Sequence, residues 1–187
     1  MGISRWIAAL AIVVAMNPAT GRADMVAIGM HAISADGIGL PIGVIIAEDS
    51  ANGLVLHLNL AAALTPGAHG FHVHKNGSCE PGQKDGQPVA GLAAGGHYDP
   101  AGSGRHLGPG GEGHMGDLPV LFVSSDANGA RAIDHALVAP QLTVADIRGR
   151  ALMIHEGGDS FRDEPRPLGG GGARVACGVV PESSRNR

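Results

Sequence analysis

The sequence predicts an all-β fold, a Greek-key β-sandwich or flattened barrel of about eight antiparallel strands with two long functional loops. Three observations predict it. Gly supplies 31 of the 187 residues while charged residues make up only 16%, a balance that favours many tight turns over long helices. Leu54, Leu56, Leu58 and Leu60 alternate with Val55, His57, Asn59 and Ala61, the period of two of a half-buried strand. Short apolar, β-branched-rich runs recur along the chain without intervening helical patterns. No Gly-x-y repeat exists, which excludes collagen, and a hydrophobic content of 44% is enough for a core and excludes wholesale disorder.

The first 23 residues stand outside the fold. Arg5 gives a positive start, Trp6 to Met16 form an apolar run, and Gly21-Arg22-Ala23 places small residues at −3 and −1. This is the layout of a secretory signal peptide cleaved after Ala23, and the run is too short for a membrane span, which needs ~20 apolar residues. One domain is expected over residues 24–187. Cleavage takes Arg5 and Arg22 from the 13 basic residues and none of the 17 acidic ones. The mature chain is therefore acidic and exported, with no membrane attachment. Without a basic cluster it has no nucleic-acid partner.

From residue 24 onward the elements follow in order. Residues 25–33 and 42–47 read as strands separated by a polar Gly/Pro segment. Asn52-Gly53 is a hairpin signal before the alternating Leu run. Residues 68–74, 120–124, 131–138, 150–155 and 174–180 read as further strands, with Asn128-Gly129 marking another turn. Residues 143–147 alone look briefly helical. Two segments, 75–117 and 156–173, are too long for ordinary turns. Long structureless loops in a compact domain are usually functional or disordered, and both follow directly after a strand ending in His. The four-Gly run Gly169–Gly172 lacks the Gly-Lys-Ser/Thr ending of a phosphate loop, which argues against nucleotide binding.

Ten His among 187 residues point to metal. His72 and His74 stand at i and i+2 on a predicted strand, so both imidazoles face one side. His97, His106, His114 and Asp117 follow within 21 positions of Gly-rich loop, and His155 closes a strand before the second loop. Seven ligands cannot complete two four-coordinate sites unless one serves both ions or water fills one position, and the spacing leaves both options open. A His-rich site suits copper, and three His plus a carboxylate suit tetrahedral zinc. Cys79 and Cys177 can pair in an oxidising compartment, the alternative being two unrelated buried thiols.

Gly70-Phe71-His72-Val73-His74, Gly96-His97-Tyr98-Asp99-Pro100, Gly113-His114-Met115-Gly116-Asp117-Leu118-Pro119, Met153-Ile154-His155 and Gly172-Ala173-Arg174-Val175-Ala176-Cys177-Gly178-Val179 together resemble the copper/zinc superoxide dismutases, over essentially all the mature chain and in order. The resemblance implies one copper on His72, His74, His97 and His155, and one zinc on His97, His106, His114 and Asp117, with His97 as the shared imidazolate. It implies that Asp159 links His72 to His106, that Arg174 stands beside the copper channel, that His97 and Arg174 are catalytic, and that Cys79 and Cys177 form a disulfide. His69 resembles a framework His, while His31, His57 and His135 read as surface or packing residues. The long stretch from Cys79 to His97 resembles the bacterial periplasmic branch, so the expected location is the periplasm. Between His155 and Arg174 the loop is shorter than in animal enzymes, with Arg162, Asp163, Glu164 and Arg166 in an unfamiliar order. Lys75 and Lys84 are the candidates for guiding the substrate. That substrate is the small anion superoxide, converted to oxygen and hydrogen peroxide. Monomer and homodimer are both open.

A non-catalytic copper/zinc-binding or copper-chaperone-like protein is the alternative. It is expected to lack a copper ligand or the arginine, and neither is missing here. A metallo-β-lactamase-like hydrolase would want Asp where Asn76 stands. A cupin would want Glu four or five positions after the second His, whereas Glu80 comes six after His74.

Overall fold

The computed structural model describes residues 23–60, 64–129, 131–133 and 135–182. The expected signal peptide lies outside these residues, except for Ala23. Among the described residues no helix is long and apolar enough to cross a membrane.

Among the described residues, twelve strands form one seven-stranded antiparallel sheet and two smaller ones. Strands β1 (Met25–Ser34), β2 (Gly37–Ser50) and β3 (Gly53–Leu60) form a meander, with Val26, Ile28, Met30, Leu54, Leu56 and Leu58 turned to the core at every second position. The last strand, β12 (Arg174–Val179), returns to lie beside β1, the closing order of a Greek key. Beyond it come β11 (Ala151–His155) and, at the sheet edge, β5 (Phe71–His74). At the other edge β10 (Ala136–Ala139) pairs with β3.

Two expected strands each divide between sheets. The run 68–74 breaks at Gly70 into β4 (Gly67–His69), which pairs with β8 (Leu121–Ser125) in a three-stranded sheet, and β5, which pairs with β11. The run 131–138 likewise gives β9 (Arg131–Ile133), beside β8, and β10, beside β3. Strands that change sheet make the corners of a sandwich. The polar segment before residue 42 is also strand: β2 runs through it with an irregular register where Pro41 faces His31. Inside the first long loop, β6 (Gly82–Lys84) and β7 (Gln87–Val89) form a small hairpin about Asp85-Gly86. The helix α1 (Val144–Ile147) matches its expected place, with a capping box between Thr143 and Asp146.

Strands β5 and β11 are buried on both faces. Phe71, Val73, Leu152 and Ile154 enter the main core, while Ala151 and Met153 pack with Ile33, Cys79, Ala94 and Cys177 in a second cluster. Met153 is paired across from His72 and Ala151 from His74. The histidines of β5 therefore share the face that the two long loops cover.

Candidate metal centre

The free edge of β5 is occupied by the middle and the far end of the first long loop. His74 bridges to His97 and His72 to Asp117, with Tyr98 N–H donating to the Val73 carbonyl at 2.8 Å and Val73 N–H to the Gly116 carbonyl at 2.8 Å. Two of the expected loop ligands are thereby held almost as rigidly as strand residues. His155 projects from the end of β11, where a bulge sets it opposite Arg174 on β12.

The ligand atoms of His72, His74, His97 and His155 lie within 4.8 Å of one another, all four side chains buried. This is the expected copper set. Among the described residues a second cluster of this kind is His72, His97, His106 and Asp117, with His72 where His114 was expected. His72 Nε2 is already engaged at 2.8 Å by Asp159, whereas His114 Nδ1 is buried, unpaired and 3.4 Å from Asp117. The structure thus brings His114 beside Asp117 but not into the tight group of four, where His72 stands instead.

His72, His74, His106 and His155 each have one nitrogen committed and one left over. Asp159 takes His72 Nε2 and, at 2.7 Å, His106 Nε2; the Gly95 carbonyl accepts from His74 Nδ1 at 2.8 Å; the Gly172 carbonyl faces His155 Nδ1 at 3.2 Å. His72 Nδ1, His74 Nε2, His155 Nε2, His106 Nδ1 and His114 Nδ1 are buried without a well-formed hydrogen bond, the last two facing Asp117 at 2.9 and 3.4 Å. Buried polar atoms left unpaired are costly. Imidazoles fixed through one nitrogen, with the other converging on a common point, are the arrangement that metal ligation requires. Copper and zinc fit these donors.

The two halves differ in charge. Burial drives the pKa of His72 down to about 3 and that of His155 to about 4, and it lowers His74 and His97 as well. These rings are neutral at pH 7, with lone pairs available. Burial also opposes a charge on His106, but Asp117 and Asp159 outweigh it and push its pKa up to about 9. Burial would raise Asp117 and Asp159, yet the neighbouring imidazoles, His106 foremost, hold both well below the usual carboxylate range.

Arg174 donates to the Gly91 carbonyl at 2.5 Å and to the Gly95 carbonyl at 2.6 Å, and its charge acts on His74 and His155. Gly95 O thus orients a histidine and the arginine together, a role no residue pattern announced. Cys79 and Cys177 are disulfide-bonded, closing the loop that carries Gly91 and Gly95. His69 is buried, with Nδ1 2.7 Å from the His155 carbonyl and Nε2 2.8 Å from that of Thr65. His57 is half exposed beside Glu48, and His31 and His135 lie outside the cluster. Lys75 lines a cleft of about 460 Å³ that reaches His97 and His114, whereas Lys84 stands exposed on the β6–β7 hairpin.

Residues 42–180 match the family model for copper/zinc superoxide dismutase (SODC). The chain is 46% identical over 172 residues to superoxide dismutase [Cu-Zn] 2 of Salmonella typhimurium, covering 91% of this chain and 96% of that protein. It is 48% identical over 159 residues to superoxide dismutase [Cu-Zn] of Brucella abortus, covering 84% and 89%. Among solved structures, Cu/Zn superoxide dismutase from Brucella abortus superposes with a TM-score of 0.77 at 49% identity, covering 84% of this chain and 99% of that one. The monomeric copper, zinc superoxide dismutase from Salmonella enterica gives 0.73 at 49% identity, covering 84% and 99%.

Proposed function

Because the chain belongs to the copper/zinc superoxide dismutase family, we propose that His72, His74, His97 and His155 hold one copper and that His97, His106, His114 and Asp117 hold one zinc. The activity is conversion of superoxide to molecular oxygen and hydrogen peroxide. The observation that carries the assignment of residues is the set of five buried, unpaired imidazole nitrogens, each on a ring of the two proposed sites.

When bound, copper supplies one-electron chemistry by alternating between two oxidation states, and zinc supplies a fixed positive charge. The chain's own residues do the rest. Arg174, with its fork held by two carbonyls, attracts and orients the superoxide anion beside His155. Asp117 holds Nδ1 of His97 at 2.9 Å. Nε2 is thereby the nitrogen of that ring free to take a proton and pass it to the developing peroxide. Asp159 fixes His72 and His106 relative to each other through its two oxygens. Lys75, on the cleft leading to His97, is the better placed of the two lysines to draw the anion inward.

The chain is exported to the periplasm. The signal-like first 23 residues, the disulfide between Cys79 and Cys177 and the bacterial origin of the relatives support this. Every proposed ligand belongs to one chain, so a single chain forms a complete site and a homodimer adds no ligand to it. Metal analysis of the mature protein, with a superoxide-consumption assay, tests the reading. One copper and one zinc per chain, with activity lost on copper removal, is the expected result. Full activity in copper-free protein would overturn it.

A further inference from the structure

His106, like His114, is a proposed zinc ligand without regular structure around it, since residues 102–108 belong to no helix or strand. Its ring is held by Asp159 at Nε2 and lies 2.9 Å from Asp117 at Nδ1. Fixing a ring does not fix the chain that carries it. That backbone is held elsewhere: His106 N–H donates to Asp163 Oδ2 at 2.9 Å, and two residues on, Gly108 N–H donates to Asp117 Oδ2 at 3.2 Å. Asp163 Oδ1 also accepts from Leu168 N–H at 3.4 Å.

Asp159 and Asp163 are the two ends of a five-residue clip around His106. Between them Phe161 donates its N–H to Asp159 Oδ1 at 2.7 Å. Its ring fills the space beside Gly108, where a Cβ would fall 2.6 Å from ring Cγ. Phe161 has φ +56°, a conformation a bulky residue keeps only where its surroundings over-determine it. Gly169 closes the clip, donating to the Arg162 carbonyl at 2.9 Å. Its φ is +69°, and a Cβ there would lie 1.9 Å from Asp159 Oδ1. The unfamiliar order of charges after Asp159 in the sequence thus has a physical purpose.

We propose that Asp163 is a positioning residue for His106, its carboxylate holding the main chain from which the zinc-ligating imidazole projects. The proposal rests on the copper/zinc reading of the site and adds to it a residue that touches neither metal nor substrate.

The test uses the full chain loaded with copper(II) and with cobalt(II) standing in for zinc, comparing wild type, Asp163→Ala and Asp163→Asn. Asp163→Ala is expected to release cobalt to a chelator roughly tenfold faster, the low end of the usual effect of partners that orient metal ligands, and to shift the cobalt visible absorption. Its copper(II) absorption should stay as in wild type. Asp163→Asn keeps an amide oxygen for the His106 N–H, so its cobalt release should lie within about threefold of wild type, with the wild-type absorption. Wild-type release and absorption in Asp163→Ala would overturn the proposal. So would an Asn variant as impaired as Ala, or equal loss of both metals in Asp163→Ala, which would mean general loop collapse. A wild-type chain that took up neither metal would instead remove the copper/zinc reading itself.

Discussion

The two halves of the metal centre are built from different material. The proposed copper side stands on strands, with His72 and His74 on β5 and His155 at the end of β11. Its rings are neutral, and two of them, His74 and His155, are oriented by backbone carbonyls. The proposed zinc side is carried by loop, and its shape comes from carboxylates: Asp117 among the ligands, Asp159 and Asp163 around them. His97 belongs to both. The difference teaches that a redox site can take its geometry from a sheet held by its own ladder and core. A site on a Gly-rich loop needs charge from the protein, and then from the metal, to hold its form.

Removing one ligand from the strand side should separate the halves most sharply. His155→Ala is expected to abolish copper binding and activity while zinc stays near one per chain, read by metal analysis. Unchanged copper content would remove His155 from that side. Arg174→Ile comes next: both metals should remain, the catalytic rate constant should fall about tenfold or more, and inhibition by small anions such as azide should weaken. Arg174→Lys, which keeps the charge but loses the planar fork, should lie between. Full activity in the Ile variant with normal metal content would end the role of Arg174.

Breaking Cys79–Cys177 should cost the whole molecule stability. The bridge closes a separation of 98 residues, and reduction should lower Tm by roughly 5–15 °C. It should also disturb the copper side first, because Gly91 and Gly95, whose carbonyls hold Arg174 and His74, follow Cys79 more closely than any zinc ligand does. Identical melting of reduced and oxidised protein would show the bridge to be unimportant.

The smallest effect is the pH response of the metal-free chain. His72 and His155 titrate near 3 and 4 in the folded state against ~6.5 unfolded. The unfolded chain therefore binds more protons in that window, and stability falls as pH drops from about 6.5 towards 4. His106, raised to about 9, acts in the opposite sense. Its contribution is complete below about 6.5 and is lost as pH rises through 9. Thermal melts from pH 4 to 10 should decline at both ends, and a flat profile would contradict the charge difference between the halves.

The gathering of these histidines was legible in the sequence because imidazoles two apart on a strand, or within a Gly-rich loop, have few other uses at such density. The alternation of Leu54, Leu56 and Leu58 also read directly as a buried face. What was not legible depends on encounters between distant segments. The Gly95 carbonyl aligns His74 and Arg174, and no side chain advertises a carbonyl. Asp163 grips the backbone of His106 from 57 positions away, a pairing that spacing along the chain does not encode. The sheet changes at Gly70 and between Ile133 and Ala136 follow from how two layers close, while local apolar pattern continues through both. Asp85-Gly86 is a hairpin signal, but three-residue strands on either side are too short to show a period.

Sharing of His97 is the point on which the two halves become one centre, and the copper and zinc content of His97→Ala tests it most directly, measured beside His155→Ala and Asp117→Ala. The account predicts that His97→Ala weakens both metals together, while His155→Ala loses copper alone and Asp117→Ala loses zinc first. Loss of only one metal from His97→Ala, with the other held as in wild type, would contradict a shared imidazole.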